Sequence, residues 1–343
     1  MKILVTGGAG FIGSHTVVEL FETGFTPIIL DDFRNSQKSV LEGLYRILGY
    51  EIACYEGNCN DAEGLESLFQ KEKIEGVIHF AAYKAVGESV EKPLMYYENN
   101  INSTLLLLKT MKKFNVSNLV FSSSCTVYGQ PEKLPVTELT PRAAAASPYG
   151  NTKVICEDMI RDHVAAKPNL KAILLRYFNP IGAHPSAEIG ELPLGTPSNL
   201  VPYMTQTAAR IRHRLTVFGN DYQTPDGTCI RDYIHVVDLA KAHVAALKLL
   251  EEQSEANYYD IFNIGTGQGN TVLELIKTFE KVNNLKLNYE IGPRRPGDVA
   301  QIYAEVEKAA VILKWSAAKT LADSLRDAWK WQKKLMTSKT PVY

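Results

Sequence analysis

The sequence predicts an α/β chain built on a doubly wound parallel sheet, with a smaller α/β domain toward the C-terminus. Three observations predict it. Short β-rich runs alternate with longer helical patterns through the first half of the chain. The runs are continuously apolar, as strands buried on both faces are. After about Pro180 the texture changes, and residues 181–200 are rich in Gly, Pro, Ser and His, which marks a loop. A length of 343 residues agrees with two domains of about 150 residues each.

Taken in order, residues 3–5 (Ile-Leu-Val) are the first strand. A helix over 14–23 follows, ended by Gly24 just past its last turn. Further strands are expected over 27–30, 76–80, 118–122 and 170–177, with a helix over 94–114 before the third of these. Beyond the loop, a helix over 202–212 and short strands complete the chain. The reading is a first domain over 1–180 and a second, partly discontiguous one over 181–343, with a segment near 215–262 rejoining the first. There is no internal repeat. The four alanines at 143–146, in a polar loop beside Pro141, are an oddity that composition does not explain.

Charge and composition exclude several classes. Thirty-seven Lys and Arg stand against 38 Asp and Glu, a net of −1, which argues against a nucleic-acid binder and an acidic tail protein. Hydrophobic content of 45% with 22% charged residues is that of a globular chain. No apolar run approaches the roughly 18 residues of a membrane span, and the opening Met-Lys-Ile-Leu-Val is too short for a signal peptide. Cys54, Cys59, Cys125, Cys156 and Cys229 form no CxxC pair, so reduced thiols in a cytoplasmic protein are expected. The seven histidines suggest no metal cluster; His15 and His79 read as packing residues. The basic stretch 210–214 reads as a solvated helix end, and Cys125 has no motif partner that would make it a nucleophile.

Two constellations carry chemistry. Gly7, Gly10 and Gly13 form G-x-x-G-x-x-G between the first strand and the first helix. A tight turn, close approach to bare backbone and a helix N-terminus together suit a dinucleotide diphosphate, the mark of a Rossmann-type domain. Asp31, at the end of the next strand, would bind the adenosine ribose and disfavour the extra phosphate of NADP. Arg34 points the other way, but the Asp31-Asp32 doublet outweighs it, and NAD is expected. The second constellation is Tyr149 and Lys153, which at i, i+4 share one helix face, with Ser124 at the carboxyl end of a strand. A phenol with pKa ~10 is a poor base, but a cation at ~4 Å with an effective dielectric of about 20 contributes about 4 kcal/mol, roughly three pKa units. Lys153 and a nicotinamide cation would therefore bring Tyr149 toward neutrality, while Ser124 holds the reacting hydroxyl.

These elements resemble the extended short-chain dehydrogenase/reductase superfamily. Residues 6–15 (TGGAGFIGSH), 79–89 (HFAAYKAVGES), 121–129 (FSSSCTVYG), 149–153 (YGNTK), 176–183 (RYFNPIGA) and 224–239 (TPDGTCIRDYIHVVDL) are similar, in order and spacing, to the UDP-glucose 4-epimerase family within it. The resemblance implies reversible C4 epimerisation of UDP-glucose and UDP-galactose by transient hydride transfer to tightly held NAD, through a 4-keto sugar, with Tyr149 as base. It implies a cofactor set of Gly7, Gly10, Phe11, Ile12, Gly13, Asp31, Asp32, Asn35, Ser36, Asn58, Cys59, Phe80, Ala81, Lys84, Asn99, Ser122, Tyr149, Lys153 and Tyr177. The implied substrate set is Lys84, Ser124, Tyr149, Asn179, Asn199, Leu200, Phe218, Arg231, Arg295, Asp298 and Ile302, with no metal. Arg231 and Arg295 suit a diphosphate. A homodimer through the helices near 94–114 and 150–166 is implied by the same likeness, with no nucleic-acid or membrane partner.

The chain departs from the family pattern at Asn58, where many relatives carry Asp, and at Ile302, intermediate in bulk between the residues found there; N-acetylated and pentose nucleotide sugars stay open. Among rivals, a dehydratase or decarboxylase of the same superfamily needs a carboxylate before Val127-Tyr128-Gly129, where this chain has Cys125-Thr126. A silent NAD-sensing module would be expected to lose Tyr149 or Lys153, and both are present.

Overall fold

The computed structural model describes residues 1–167, 169–295 and 297–337; residues 338–343 of the expected second domain lie outside the described residues. The first half runs β1 (Lys2–Thr6), α1 (Phe11–Glu22), β2 (Thr26–Asp31), α2 (Ser39–Leu48), β3 (Cys54–Glu56), α3 (Ala62–Glu72), β4 (Gly76–His79), α4 (Val86–Glu91), α5 (Pro93–Lys113), β5 (Asn118–Ser122), α6 (Pro148–Ala165) and β6 (Lys171–Tyr177). It continues with β7 (Asn179–Ile181), α7 (Leu200–Ala208), β8 (Leu215–Phe218), β9 (Ile230–His235), α8 (Val236–Glu252), β10 (Tyr258–Ile264), β11 (Gly269–Thr271), α9 (Val272–Asn283), β12 (Tyr289–Gly292), β13 (Gln301–Ile302), α10 (Glu307–Ile312) and α11 (Leu321–Thr337).

Seven strands form one parallel sheet in the order β10-β6-β5-β4-β1-β2-β3. The fold class is the expected one, a Rossmann-type α/β sheet. Side-chain alternation sends each strand residue to one of two cores. Ile3 and Val5 pack with α1, α2 and α8 on one face, while Leu4 packs with α3, α5 and α6 on the other. Both faces are covered, which is why the strands read as unbroken apolar runs. Strand order reverses between β1 and β4, and such a reversal opens a crevice at the strands' carboxyl ends. Gly7 N–H donates to the Leu30 carbonyl at 2.8 Å and Phe80 N–H to the Thr6 carbonyl at 3.0 Å, so the crevice floor is stitched to both neighbours.

The remaining strands lie elsewhere. β9 pairs antiparallel with β11 and parallel with β13 and β7, and β8 pairs with β12. Among them β7, β8 and β9 share a third core with α7, α9 and α11, built on Met204, Val217, Tyr233, Leu275, Phe279 and Leu325.

Boundaries differ from expectation in two instructive places. α1 starts at Phe11, because the extended Gly10 serves as its N-cap and Gly13 already lies within the helix. α7 ends at Ala208, not at residue 212, because Arg210 takes a left-handed conformation at φ 60°. The basic stretch is therefore a turn leading into β8, with Arg214 paired to Glu290 at 2.9 Å, and not a helix end. The edge strands β3 and β10 are the sheet members that periodicity did not mark. β3 has three residues, and Tyr258–Ile264 interleaves Asp260 and Asn263 with its apolar positions. Among the described residues no helix is long and apolar enough to cross a membrane, and all five cysteines are unpaired.

Candidate active site

The crevice opens into a cleft of about 610 Å³. Its floor is the glycine turn. Gly7 sits at φ 69°, where a β-carbon would come within 3.0 Å of the Ala81 nitrogen, and a β-carbon on Gly13 would lie 2.2 Å from the Gly7 carbonyl oxygen. Only bare backbone fits there. No side chain caps α1 and its first turn carries no acidic residue, so its first amides and the positive end of its dipole face the cleft. This cradle, which a side chain would fill, fits a dinucleotide diphosphate.

Next to the turn, Asp31 holds the loop that follows β2. Its carboxylate accepts from Ala9 N–H at 3.0 Å, Phe33 N–H at 2.9 Å and the Ser36 hydroxyl at 2.8 Å. Burial pushes its pKa upward. Asp32 pairs with Arg34 at 3.4 Å and accepts from the Asn58 amide at 3.3 Å. Arg34 is thus engaged by the acidic doublet. Gly10, Phe11, Ile12, Asn35, Ser36, Asn58, Cys59, Phe80, Ala81, Lys84 and Asn99 line the same cleft.

At the far end stand Tyr149, Lys153 and Tyr177. Ser147 caps α6 by accepting from Gly150 N–H at 3.1 Å, and Pro148 opens the helix, so Tyr149 falls in its first turn with Lys153 one turn on. Lys153 Nζ donates to the Ser122 carbonyl at 2.7 Å and lies 4.9 Å from the centre of the Phe121 ring. Ser122 Oγ donates to the Tyr177 hydroxyl at 3.1 Å. Ser124 stands close enough to Tyr149 to favour its ionised form, and its Oγ accepts from Thr126 N–H at 3.2 Å.

Burial sets the electrostatics of the protein's own groups here. Burial pushes the Tyr149 phenol well above its ordinary value, with Tyr177 adding to the rise and Ser124 opposing it. Lys153, also buried, is brought down to about 8. Among the protein's own groups desolvation outweighs charge at Tyr149, and Lys153 gives one of its three N–H donors to the Ser122 carbonyl. Cys125, beside Ser124, is pushed up to about 12 by burial, so it is a thiol rather than a nucleophilic thiolate.

The remaining candidates fall into three places. Asn199, the N-cap of α7, lines the cleft wall, and its amide donates to Glu191 Oε1 at 2.6 Å. Lys84 Nζ reaches the same oxygen at 3.6 Å. Phe218, Arg231, Arg295 and Asp298 gather beyond that wall. Asp298 accepts from Arg295 at 2.7 Å and lies 3.8 Å from Arg231, and the Arg295 guanidinium is 5.8 Å from the Phe218 ring centre. Ser122, Ser124, Asn179, Leu200 and Ile302 do not line the cleft; Ser122, Ser124 and Ile302 are buried, and Asn179 and Leu200 are half-buried. Ile302 is opposite Arg231 in register and buried with Val127, Tyr128 and Phe178.

Sequence reasoning missed Glu191, which bridges Lys84 and Asn199, and Glu157, which sits one turn beyond Lys153 on α6. The i, i+4 spacing that flagged Tyr149 and Lys153 extends to Glu157 and was the available signal.

A glycine cradle at a sheet crevice with a Tyr–Lys pair at its far end defines a class of nucleotide-cofactor enzymes. The chain belongs to the NAD dependent epimerase/dehydratase family, which it matches over residues 3–265. It is 48% identical to a UDP-glucose 4-epimerase of Pasteurella multocida over 334 residues, covering 97% of this chain and 98% of that protein. It is 50% identical to the UDP-glucose 4-epimerase of Mus musculus over 338 residues, covering 97% and 96%. Its fold matches UDP-glucose-4-epimerase from Stenotrophomonas maltophila with bound NAD and formylated UDP-arabinopyranose at a TM-score of 0.95 and 46% identity, covering 98% and 99%. The Bifidobacterium longum UDP-glucose 4-epimerase in complex with NAD+ and UDP gives 0.93 and 47%, covering 97% and 98%.

Proposed function

We propose that this chain is an NAD-dependent UDP-glucose 4-epimerase that interconverts UDP-glucose and UDP-galactose. What supports the reading is that Tyr149 and Lys153 line the same cleft as the glycine turn, with Ser124 just behind Tyr149. The diphosphate of NAD would sit on the turn and the α1 N-terminus, with its adenosine ribose at Asp31 and its far ribose near Lys153. When bound, NAD supplies a hydride acceptor and donor and a positive charge near Tyr149.

Tyr149 takes the proton from the sugar O4 and returns it, and Ser124 holds that oxygen through the transfer. The sugar passes through a 4-keto stage and presents its other face before reduction. Lys153, protonated at neutral pH with its pKa at about 8, steadies the tyrosinate. Arg231 and Arg295 grip the UDP diphosphate, Asp298 orients both guanidinium groups, and Asn199, Leu200 and Phe218 hold the uridine side. Residues 1–180 with the returning segment near 215–262 form the cofactor domain, and 181–343 the UDP-sugar domain. Two further parts of the reading are a cytoplasmic location, which five unpaired cysteines support, and a homodimer through α5 and α6. Exposed Leu94 and Leu105 on α5 support the latter.

The test is a product assay without added NAD on UDP-glucose, UDP-galactose and the corresponding N-acetylhexosamine and pentose nucleotides. The reading expects galactose nucleotide from UDP-glucose, and copurified NAD on denaturation. Absence of galactose nucleotide after prolonged incubation overturns it, and turnover confined to N-acetylated or pentose substrates moves the assignment to those sugars and to the pocket around Ile302.

A further inference from the structure

Three consecutive serines close β5, and each meets the same stripe of α6. The Ser122 carbonyl accepts from Lys153 Nζ at 2.7 Å. The Ser123 hydroxyl donates to Glu157 Oε1 at 2.6 Å. Ser124 stands beside Tyr149, near enough to favour its ionised form. Tyr149, Lys153 and Glu157 follow one another at four-residue intervals, so strand end and helix face are joined rung by rung.

The middle rung does no chemistry, yet it is the most heavily built. Ser123, Glu157 and Arg176 are 0%, 1% and 3% exposed. Arg176, on β6, grips Glu157 with both arms of its fork, Nε to Oε1 at 2.9 Å and Nη2 to Oε2 at 2.6 Å. Arg142 adds a contact at 3.7 Å. The Arg176 guanidinium also lies 4.9 Å from the Tyr128 ring centre, and the Tyr128 hydroxyl donates to Asn263 at 2.6 Å, so the pair supports the turn that leaves Ser124. A buried ion pair is weak evidence for stability, since apolar replacements often serve a fold equally well. Its directional bonds define a register instead.

We propose that Glu157 and Arg176 are positioning residues of the epimerisation, acting through the Ser123 hydroxyl to set the height of Ser124 and Ser122 against Tyr149 and Lys153. The inference rests on the functional reading above. Without the middle rung the end of β5 keeps its backbone bonds to β6, Ser123 N–H to the Leu175 carbonyl at 2.9 Å among them, but loses the side-chain bond that fixes its height against α6, and Ser124 loses its alignment with the phenol.

The test is Ser123→Ala, which deletes one buried oxygen and leaves the Glu157–Arg176 pair and every charge in place. The parent is assayed first on UDP-galactose; an inactive parent refutes the functional reading and not this inference alone. With an active parent, kcat of the variant is expected to fall at least about tenfold while KM stays within about threefold and bound NAD per chain is unchanged, the signature of lost alignment in the transition state. A purely structural role would lower the melting temperature and the folded yield and leave kcat per bound NAD as in the parent; kcat within about twofold of the parent overturns the proposal. If the alanine variant does not fold, Ser123→Cys, with a weak donor of similar size, takes its place, and the same presence or absence of a kcat loss decides.

Discussion

Tyr149 shows how far a residue's chemistry departs from its sequence. The spacing to Lys153 identifies the pair, yet burial drives the phenol up and the ammonium down to about 8, opposite to the charge pairing that spacing alone suggests. On the proposed reading, the further charge that favours the phenolate is that of bound NAD. Tyr149→Phe removes the hydroxyl and nothing else of size. It is expected to retain bound NAD, read by absorbance after denaturation, and to lower kcat by about 10²–10⁴-fold, the ordinary worth of a general base. Near-parental turnover would show that another base operates. Gly7, Gly10, Gly13, Asp31, Tyr149 and Lys153 were all legible because each belongs to a short local pattern. Ser123 and Glu191 were not, since their partners come from other elements.

At the scale of elements, the starts of α1 and α9 are built differently. α1, which faces the cleft, has no side-chain cap and no acid in its first turn. α9, which serves the third core, has a complete capping box. The Thr271 hydroxyl accepts from Glu274 N–H at 3.0 Å and Glu274 Oε2 accepts from Thr271 N–H at 2.8 Å. A cap on α1 would compete with an anion for the same amides, whereas α9 gains by closing its own. Thr271→Ala is therefore expected to destabilise the fold by about 1–2 kcal/mol in urea titration, at the upper end because the hydroxyl also reaches Asp226. Its kcat on UDP-galactose should equal the parent's, since α9 forms no part of the cleft wall.

For the whole molecule, a net charge of −1 conceals a sharp local arrangement. A helix N-terminus, Lys84, Arg231 and Arg295 supply the positive side, and Asp298 and Glu191 hold the side chains among them in place. The interior adds a pH dependence. Burial lowers His15 and His79 to about 3 and His243 to about 4. A histidine kept neutral in the fold binds its proton only when unfolded, so its stabilising contribution is full above about pH 6.5 and is lost as pH falls toward the folded value. Glu19, raised to about 7 by burial, acts in the opposite sense between its unfolded value of 4.5 and 7. The three histidines outnumber Glu19, and His163 and His184, also lowered by burial, act with them, so stability should fall as pH drops from about 6 to 5. Urea midpoints at pH 7, 6 and 5 check this; a flat profile would mean that these imidazoles are protonated in the fold.

The sequence by itself determined the alternation of strands and helices, the glycine cradle with its acidic neighbour, and the Tyr–Lys pair. Each of these is written in contacts between residues a few positions apart, at the periods of strand and helix. Only the tertiary structure decided that three serines at the end of β5 would lock onto one stripe of α6. It alone brought Arg231 of β9 beside Asp298 from the loop before β13, ended α7 before the basic turn, and made burial rather than charge the ruling influence on Tyr149. Those outcomes depend on which elements pack together and how much water they exclude, and neither quantity resides in any local run of residues.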